Sequence, residues 1–234
     1  KAKRGLMATS HSVGLARSVA DRIIAVTRAR DGHRKCSPFG EHRTETLVQS
    51  ISELGYSQYA ELGGNHLLLV EGRTDIKAYR EILRKFHLEQ HFLLWSLNGS
   101  DWLKAPRDKI VDELNDLKRL NARSISVIFD SERTSSMMAF NPQLQGFYEL
   151  CQELSFNVFP TDRHSTENYV TQAALDAVTP GHRALGEFEP FGTNGSKWEK
   201  AKNWLLFREM RVEDFEKTGL KEYIVGTLAK QVGT

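Results

Sequence analysis

The chain has 234 residues, 40% of them hydrophobic, with 32 Lys and Arg against 30 Asp and Glu. That is enough apolar material for one full domain plus an extension or part of another. A net charge of +2 rules out a global positive field, so any nucleic-acid surface must be local.

Two cysteines, Cys36 and Cys151, are too few for a disulfide framework or a thiolate zinc site, and they fit a reducing cytoplasm. No apolar run approaches the roughly 20 residues that cross a bilayer, and no signal peptide is read. An opening at Lys1 rather than Met is expected of a piece of something longer.

In chain order, Gly5 to Ser12 followed by Leu15 to Val26 reads as strand end, helix, strand. Residues 31–60 form a connector, loop-like through Asp31–Lys35 and Ser37–Gly40, with a helix from Glu45 to Glu53. Leu67 to Val70 are four apolar residues in a row, as in a buried parallel strand, and they end on Glu71-Gly72. Gly72 lets the chain turn sharply, and Thr74 is the expected N-cap of the next helix. There Ile76, Tyr79, Ile82, Leu83 and Phe86 recur at helical spacing, while Lys77, Arg80, Glu81, Arg84 and Lys85 are expected to face out.

Phe92 to Leu97 reads as a second strand closing on Asn98-Gly99. Ile110, Leu114 and Leu117 mark a helix, and Ser124 to Phe129 a third strand. Leu144, Phe147, Cys151 and Leu154 mark another helix, and Phe156 to Phe159 a short fourth strand. The alternation predicts βαβ units and an α/β fold with a mostly parallel four-stranded sheet flanked by helices. Right-handed crossovers bring the strand ends to one edge, where open sheets of this kind bind ligands. Beyond Thr171, repeated Gly and Pro break the chain before helices through Trp198–Glu209 and Val212–Leu228.

The stretch from His66 to Leu83 resembles the first signature of a Toprim domain, the acid-bearing, metal-dependent module of topoisomerases, primases and OLD-family nucleases. The run from Ser126 to Glu132 resembles the second signature, an Asp-x-Asp closing a later strand, with Glu132 in place of the second Asp. Phe159 to Tyr169 is similar to the Glu-Asn-Tyr element that follows the fourth strand in several Toprim nucleases of ATPase-linked defence systems. Residues 1–30 resemble the tail of an ABC-type ATPase core, where a Ser-His pair lies near the γ-phosphate, so His11 would contact ATP. A surface histidine in a short αβ unit is the plainer reading. No Gly-x-x-x-x-Gly-Lys-Ser/Thr loop occurs, so ATP hydrolysis by this chain alone is not expected.

These resemblances imply an order of ATPase remnant (1–30), linker (31–60), Toprim domain (61–175) and helical C-terminal extension (176–234). They imply a metal-dependent nuclease, DNA being the preferred substrate and RNA the other, acting in anti-phage defence. Homo-oligomerisation through the ATPase part and a defence-system partner protein belong to the same picture.

The acids decide the chemistry. Glu71 and Asp75 leave strand one, and Asp130 and Glu132 leave strand three, so one sheet edge can carry all four. Carboxylates crowded beside a phosphate backbone are tolerable only when cations neutralise them. Magnesium or manganese suits such oxygen ligands. Two ions about 4 Å apart would activate water and stabilise the leaving oxygen of a phosphodiester.

Glu71, Asp130 and Glu132 are the expected main metal ligands and catalytic acids, with Asp75 and Glu167 as secondary acids. Asp75 serves equally well as a charge favoured at a helix start. Glu132 exceeds the family pattern by one methylene, which puts a second metal in doubt. The resemblance makes Arg163 a phosphate contact. A capping box at Ser165 or Thr166, with Tyr169 as packing, accounts for the same segment.

In Lys197 to Glu209 cations mix with aromatics. By resemblance a lysine there assists at the phosphate, and Lys202 is the choice with Lys197 in reserve. Arg73, Arg163, Lys197 and Lys200 are candidate nucleic-acid contacts. An amphipathic helix with Trp204 and Phe207 in the core explains the aromatics more simply.

His33, His42, His164 and His182 lack the spacing of a zinc site, and no serine or cysteine nucleophile with a positioned base is found. Two rivals remain open. A topoisomerase would need a catalytic tyrosine on a strand-passage domain for which the chain has no room. A catalytically weakened module would bind nucleic acid or assemble partners without cutting.

Overall fold

The computed structural model describes residues 7, 24–28, 33–38, 66–97, 107–118, 123–192 and 197–233. His11, the Glu45–Glu53 helix, most of the 31–60 connector and Asn98-Gly99 lie outside the described residues. The first described elements are two strands, β1 (Ile24–Arg28) and β2 (Arg34–Pro38), paired antiparallel with Val26 opposite Cys36. The polar segment around Arg34–Pro38, expected as a loop, is therefore a strand. Its pairing with β1 satisfies the backbone that its side chains gave no reason to bury.

The main body is a four-stranded, all-parallel sheet of β3 (His66–Val70), β4 (Phe92–Ser96), β5 (Ser124–Phe129) and β6 (Asn157–Pro160), in the spatial order β4-β3-β5-β6. Leu67, Leu68, Leu69 and Val70 are all fully buried because the strand is covered on both faces. Alternation along the strand divides them. Leu67 and Leu69 join Leu93, Trp95, Ile125 and Val127 on one face, under helices α2 (Arg107–Lys118) and α3 (Pro142–Glu153). Leu68 and Val70 join Leu94 and Ile128 on the other, under α1 (Arg73–Lys85), α4 (Gln172–Val178), α5 (Asn203–Glu209) and the C-terminal helices. Each such side chain contributes about 1.5–3 kcal/mol over an exposed one.

This distribution fixes where a site can form. From β3 the chain moves outward through α1 to β4. It then returns past β3 through α2, on the opposite face, to β5. The direction and the covering face both reverse between β3 and β5. A crevice opens at the carboxyl ends of strands flanking such a reversal.

Several local expectations need correction. The N-cap of α1 is Gly72, not Thr74; the Asp75 carboxylate accepts from the Gly72 backbone N–H at 2.8 Å. Glu81 turns inward, only 8% exposed, and pairs with Arg84 Nη1 at 2.8 Å. The expected Trp198–Glu209 helix is a 3-10 turn at Lys200–Lys202 followed by α5.

The expected Val212–Leu228 helix is a 3-10 turn (Val212–Phe215), then α6 (Gly219–Tyr223), a π stretch (Ile224–Leu228) and α7 (Ala229–Val232). Lys217 breaks it with φ 61°, and Thr218 caps the new start by accepting from Lys221 N–H. Among the described residues no helix is long and apolar enough to cross a membrane.

Candidate active site

β3 and β5 are adjacent and parallel, with Val70 opposite Ile128, so the residues that follow each strand emerge side by side. Glu71 Oε2 accepts from the Asp130 backbone N–H at 3.2 Å. These two acids, 59 positions apart in the chain, thus meet at one end of the sheet. Asp75 sits in the first turn of α1 with its carboxylate folded back on Gly72. Glu167 arrives from the 3-10 turn at Thr166–Tyr169, which follows β6.

That turn is fastened to Asp130 directly. Asp130 Oδ1 accepts from the Thr166 N–H at 2.8 Å and from its hydroxyl at 3.0 Å. Because the Thr166 proton goes to the carboxylate, the Tyr79 hydroxyl donates to Thr166 Oγ1, 3.0 Å away. A buried chain Tyr79–Thr166–Asp130 therefore runs from the core side of α1 to the acid. Tyr79→Phe keeps the ring and removes one buried hydrogen bond. It is expected to lower Tm by about 2–4 °C, the effect of ~1 kcal/mol in a chain of this size, as read by thermal denaturation.

Burial raises the proton affinity of Asp130, Asp75 and Glu71. Asp130 is pushed well above the ordinary carboxylate range by loss of solvent first, then by Glu71, Glu167 and Asp75. Asp75 is pushed up to about 7 by burial and then by Glu167. Glu71 is raised by burial, against the pull of the Asp130 N–H.

Glu167, side chain 3% exposed, accepts through Oε1 from Lys200 Nζ at 2.9 Å and Asn203 Nδ2 at 3.0 Å. Its Oε2 is buried without a hydrogen-bond partner. Burial works against the Lys200 ammonium, yet Glu167, Asp130 and Asp75 together hold its pKa above the usual lysine value.

The other expected site residues fall elsewhere. Glu132 is exposed at the rim in a left-handed conformation, φ 53°, and accepts from Asn141 Nδ2 at 3.1 Å. Its charge still reaches Glu71, but its carboxylate is turned to the N-cap of α3 rather than buried with the cluster.

Lys202, the expected phosphate lysine, pairs with Glu199 at 2.9 Å on the surface, and Lys200 is the lysine at the acids. Arg163 is committed to structure rather than to a phosphate. Its Nη1 donates to Asn168 O at 2.7 Å, Nη2 stands 3.6 Å from Glu187, and the guanidinium lies over the Tyr169 ring. Arg73 and Lys197 are exposed, Arg73 at the first position of α1.

Ser165 N–H and Oγ both donate to Asn168 Oδ1, closing the expected cap, while Tyr169 packs in the core. Cap and acid cluster coexist because Glu167 and Asn168 project differently from one short turn. Trp198 is 5% exposed and donates to Asn203 Oδ1 at 2.8 Å, so it is no free stacking platform. Phe207 is fully buried as expected, and Trp204 is half-buried beneath Arg208.

Sequence reasoning missed Tyr79, Thr166 and Asn203. Thr166 stands directly before the suspected Glu167, and Asn203 one turn after Lys200.

The donor set is all oxygen and crowded, which suits a hard divalent cation, and Glu167 Oε2 is a spare buried acceptor. As the side chains stand, no three His, Cys, Asp or Glu among the described residues are gathered at ligating geometry. Binding a metal would require the carboxylates to close in. No protein-family model matches the chain, and neither a curated protein nor a solved structure matches it significantly.

Proposed function

We propose that this sheet end is a divalent-metal centre for hydrolysing phosphodiester bonds of nucleic acid, in the manner of a Toprim nuclease, with DNA as the first substrate to test. The observation that carries the reading is the meeting of Glu71, Asp75, Asp130 and Glu167 at the β3–β5 reversal. Burial and mutual repulsion make Glu71, Asp75 and Asp130 better proton acceptors, and one Glu167 oxygen has no hydrogen-bond partner. One buried and three half-buried acids crowded at the end of a sheet are costly for a purely structural purpose. Cations held there by Glu71, Asp130 and Glu167 would supply the charge that admits a phosphate and acidifies a water.

The chain's own groups do the rest. The Asp130 backbone N–H fixes Glu71, Thr166 fixes Asp130, and Asn203 fixes Glu167. Lys200 and the exposed Arg73 and Lys197 offer positive charge to the backbone of a strand. By the resemblance, the chain would be the effector of an ATPase–nuclease in phage defence, requiring ATP through His11 only with a complete ATPase core.

One observation favours a second reading. Glu132 remains at the rim, bonded to Asn141, as expected of a weakened module that binds without cutting. Glu71→Gln separates the two, since it preserves shape and removes charge. With the nuclease reading, magnesium-dependent nicking of a plasmid falls at least 100-fold. Nicking by the wild type that survives the substitution undiminished overturns the site, and no nicking by the wild type favours the module.

A further inference from the structure

We infer that Lys200 is an exchangeable internal counter-ion, holding Glu167 when no divalent cation is bound and releasing it when one binds. The inference rests on the reading of the acid cluster as a metal centre and assigns a different role to a lysine than simple contact with phosphate.

The two donors that share Glu167 Oε1 are not equivalent. Asn203 is fixed, because its Oδ1 accepts from the indole N–H of the buried Trp198 at 2.8 Å. Lys200 reaches Glu167 on a flexible four-carbon stem, its side chain 47% exposed and its ammonium over the Phe191 ring at 4.9 Å. Departure of Lys200 therefore leaves Glu167 held by Asn203, with a path to solvent open for the lysine.

The charge inventory gives the reason to leave. The Lys200 ammonium bonds to Glu167, and its charge also acts on Asp130, Asp75 and Glu71; among the described residues no three carboxylates are gathered at ligating geometry. A divalent ion neutralises the same group better, and two cations crowded among the same oxygens repel. Lysine and metal thus compete for one position, and each weakens the other by the same factor. The spare Oε2 of Glu167 is the atom on which the exchange can begin.

The test is calorimetric titration of manganese into the full chain and into Lys200→Gln, without nucleic acid. Competition predicts binding about tenfold tighter in Lys200→Gln, whereas Lys202→Gln, whose amine pairs with Glu199, leaves it unchanged. In parallel, the Lys200 resonance of protein carrying 13C-methylated lysines shifts on adding magnesium. Manganese binding that is equal or weaker in Lys200→Gln, or an unmoved Lys200 resonance, overturns the exchange alone. Absence of manganese binding by both proteins overturns the metal-centre reading and the exchange with it.

Discussion

Asp130→Asn is expected to do two opposite things: raise the melting temperature of the metal-free protein and abolish magnesium-dependent cleavage. Asn keeps an oxygen where Oδ1 stands, so the Thr166 N–H and hydroxyl retain their acceptor. The backbone N–H that orients Glu71 is untouched. What disappears is a half-buried charge that desolvation, Glu71, Glu167 and Asp75 all oppose. Removing the charge of one of several crowded carboxylates is expected to raise Tm by about 5 °C at pH 8 in EDTA, since ~1 kcal/mol moves Tm by 2–4 °C at this size. The same substitution removes a ligand oxygen charge, and nicking is expected to fall at least 100-fold. Thermal denaturation with and without magnesium, alongside plasmid nicking, checks both halves. A metal-free Tm that drops would mean Asp130 is a structural acceptor first.

The second large effect is the pH dependence of stability without metal. Asp75 has a folded-state pKa of about 7 against an ordinary 3.8. Between those values the folded protein binds the proton and the unfolded chain does not. Stability therefore falls as pH rises from about 4 to about 7 and levels off above that. The size is on the order of 4 kcal/mol for this group.

His66 works the other way, its pKa lowered by burial and by Arg123 and His91, so its contribution is lost as pH falls. The difference between wild type and Asp75→Asn isolates the carboxylate, because Asn retains an oxygen for the Gly72 N–H. In EDTA the wild type is expected to lose Tm relative to Asp75→Asn across that interval. Magnesium at pH 8 is expected to close the gap by holding the acid ionised. Parallel Tm profiles for the two proteins would show that Asp75 is not strained.

The strands were readable because burial on both faces leaves a continuous apolar run, and Leu67 to Val70 has no other economical explanation. The acids at strand ends were readable from their position after such runs. The spatial order β4-β3-β5-β6 was not, because pairing between strands 58 residues apart in sequence leaves no local mark on either. Lys200 and Lys202 differ by two positions in a basic run, and only the 3-10 turn at Lys200–Lys202 decides which amine reaches Glu167. The inward turn of Glu81 depended on Arg84 being there to neutralise it. Glu132 was singled out for its length, but its left-handed backbone and its bond to Asn141 come from the loop closing onto α3.

One face of β3 is covered by residues far downstream of it in the chain. Leu68 and Val70 share their core with Trp198, Leu206, Phe207, Phe215, Ile224 and Leu228, and Gln231 bonds to Ser124 and Ser126 on β5. A nascent polypeptide leaving the ribosome therefore has β3 in hand long before it has the residues that shield it. Closure of the body must wait for the end of translation of this region, and pairings of such sequence separation assemble slowly.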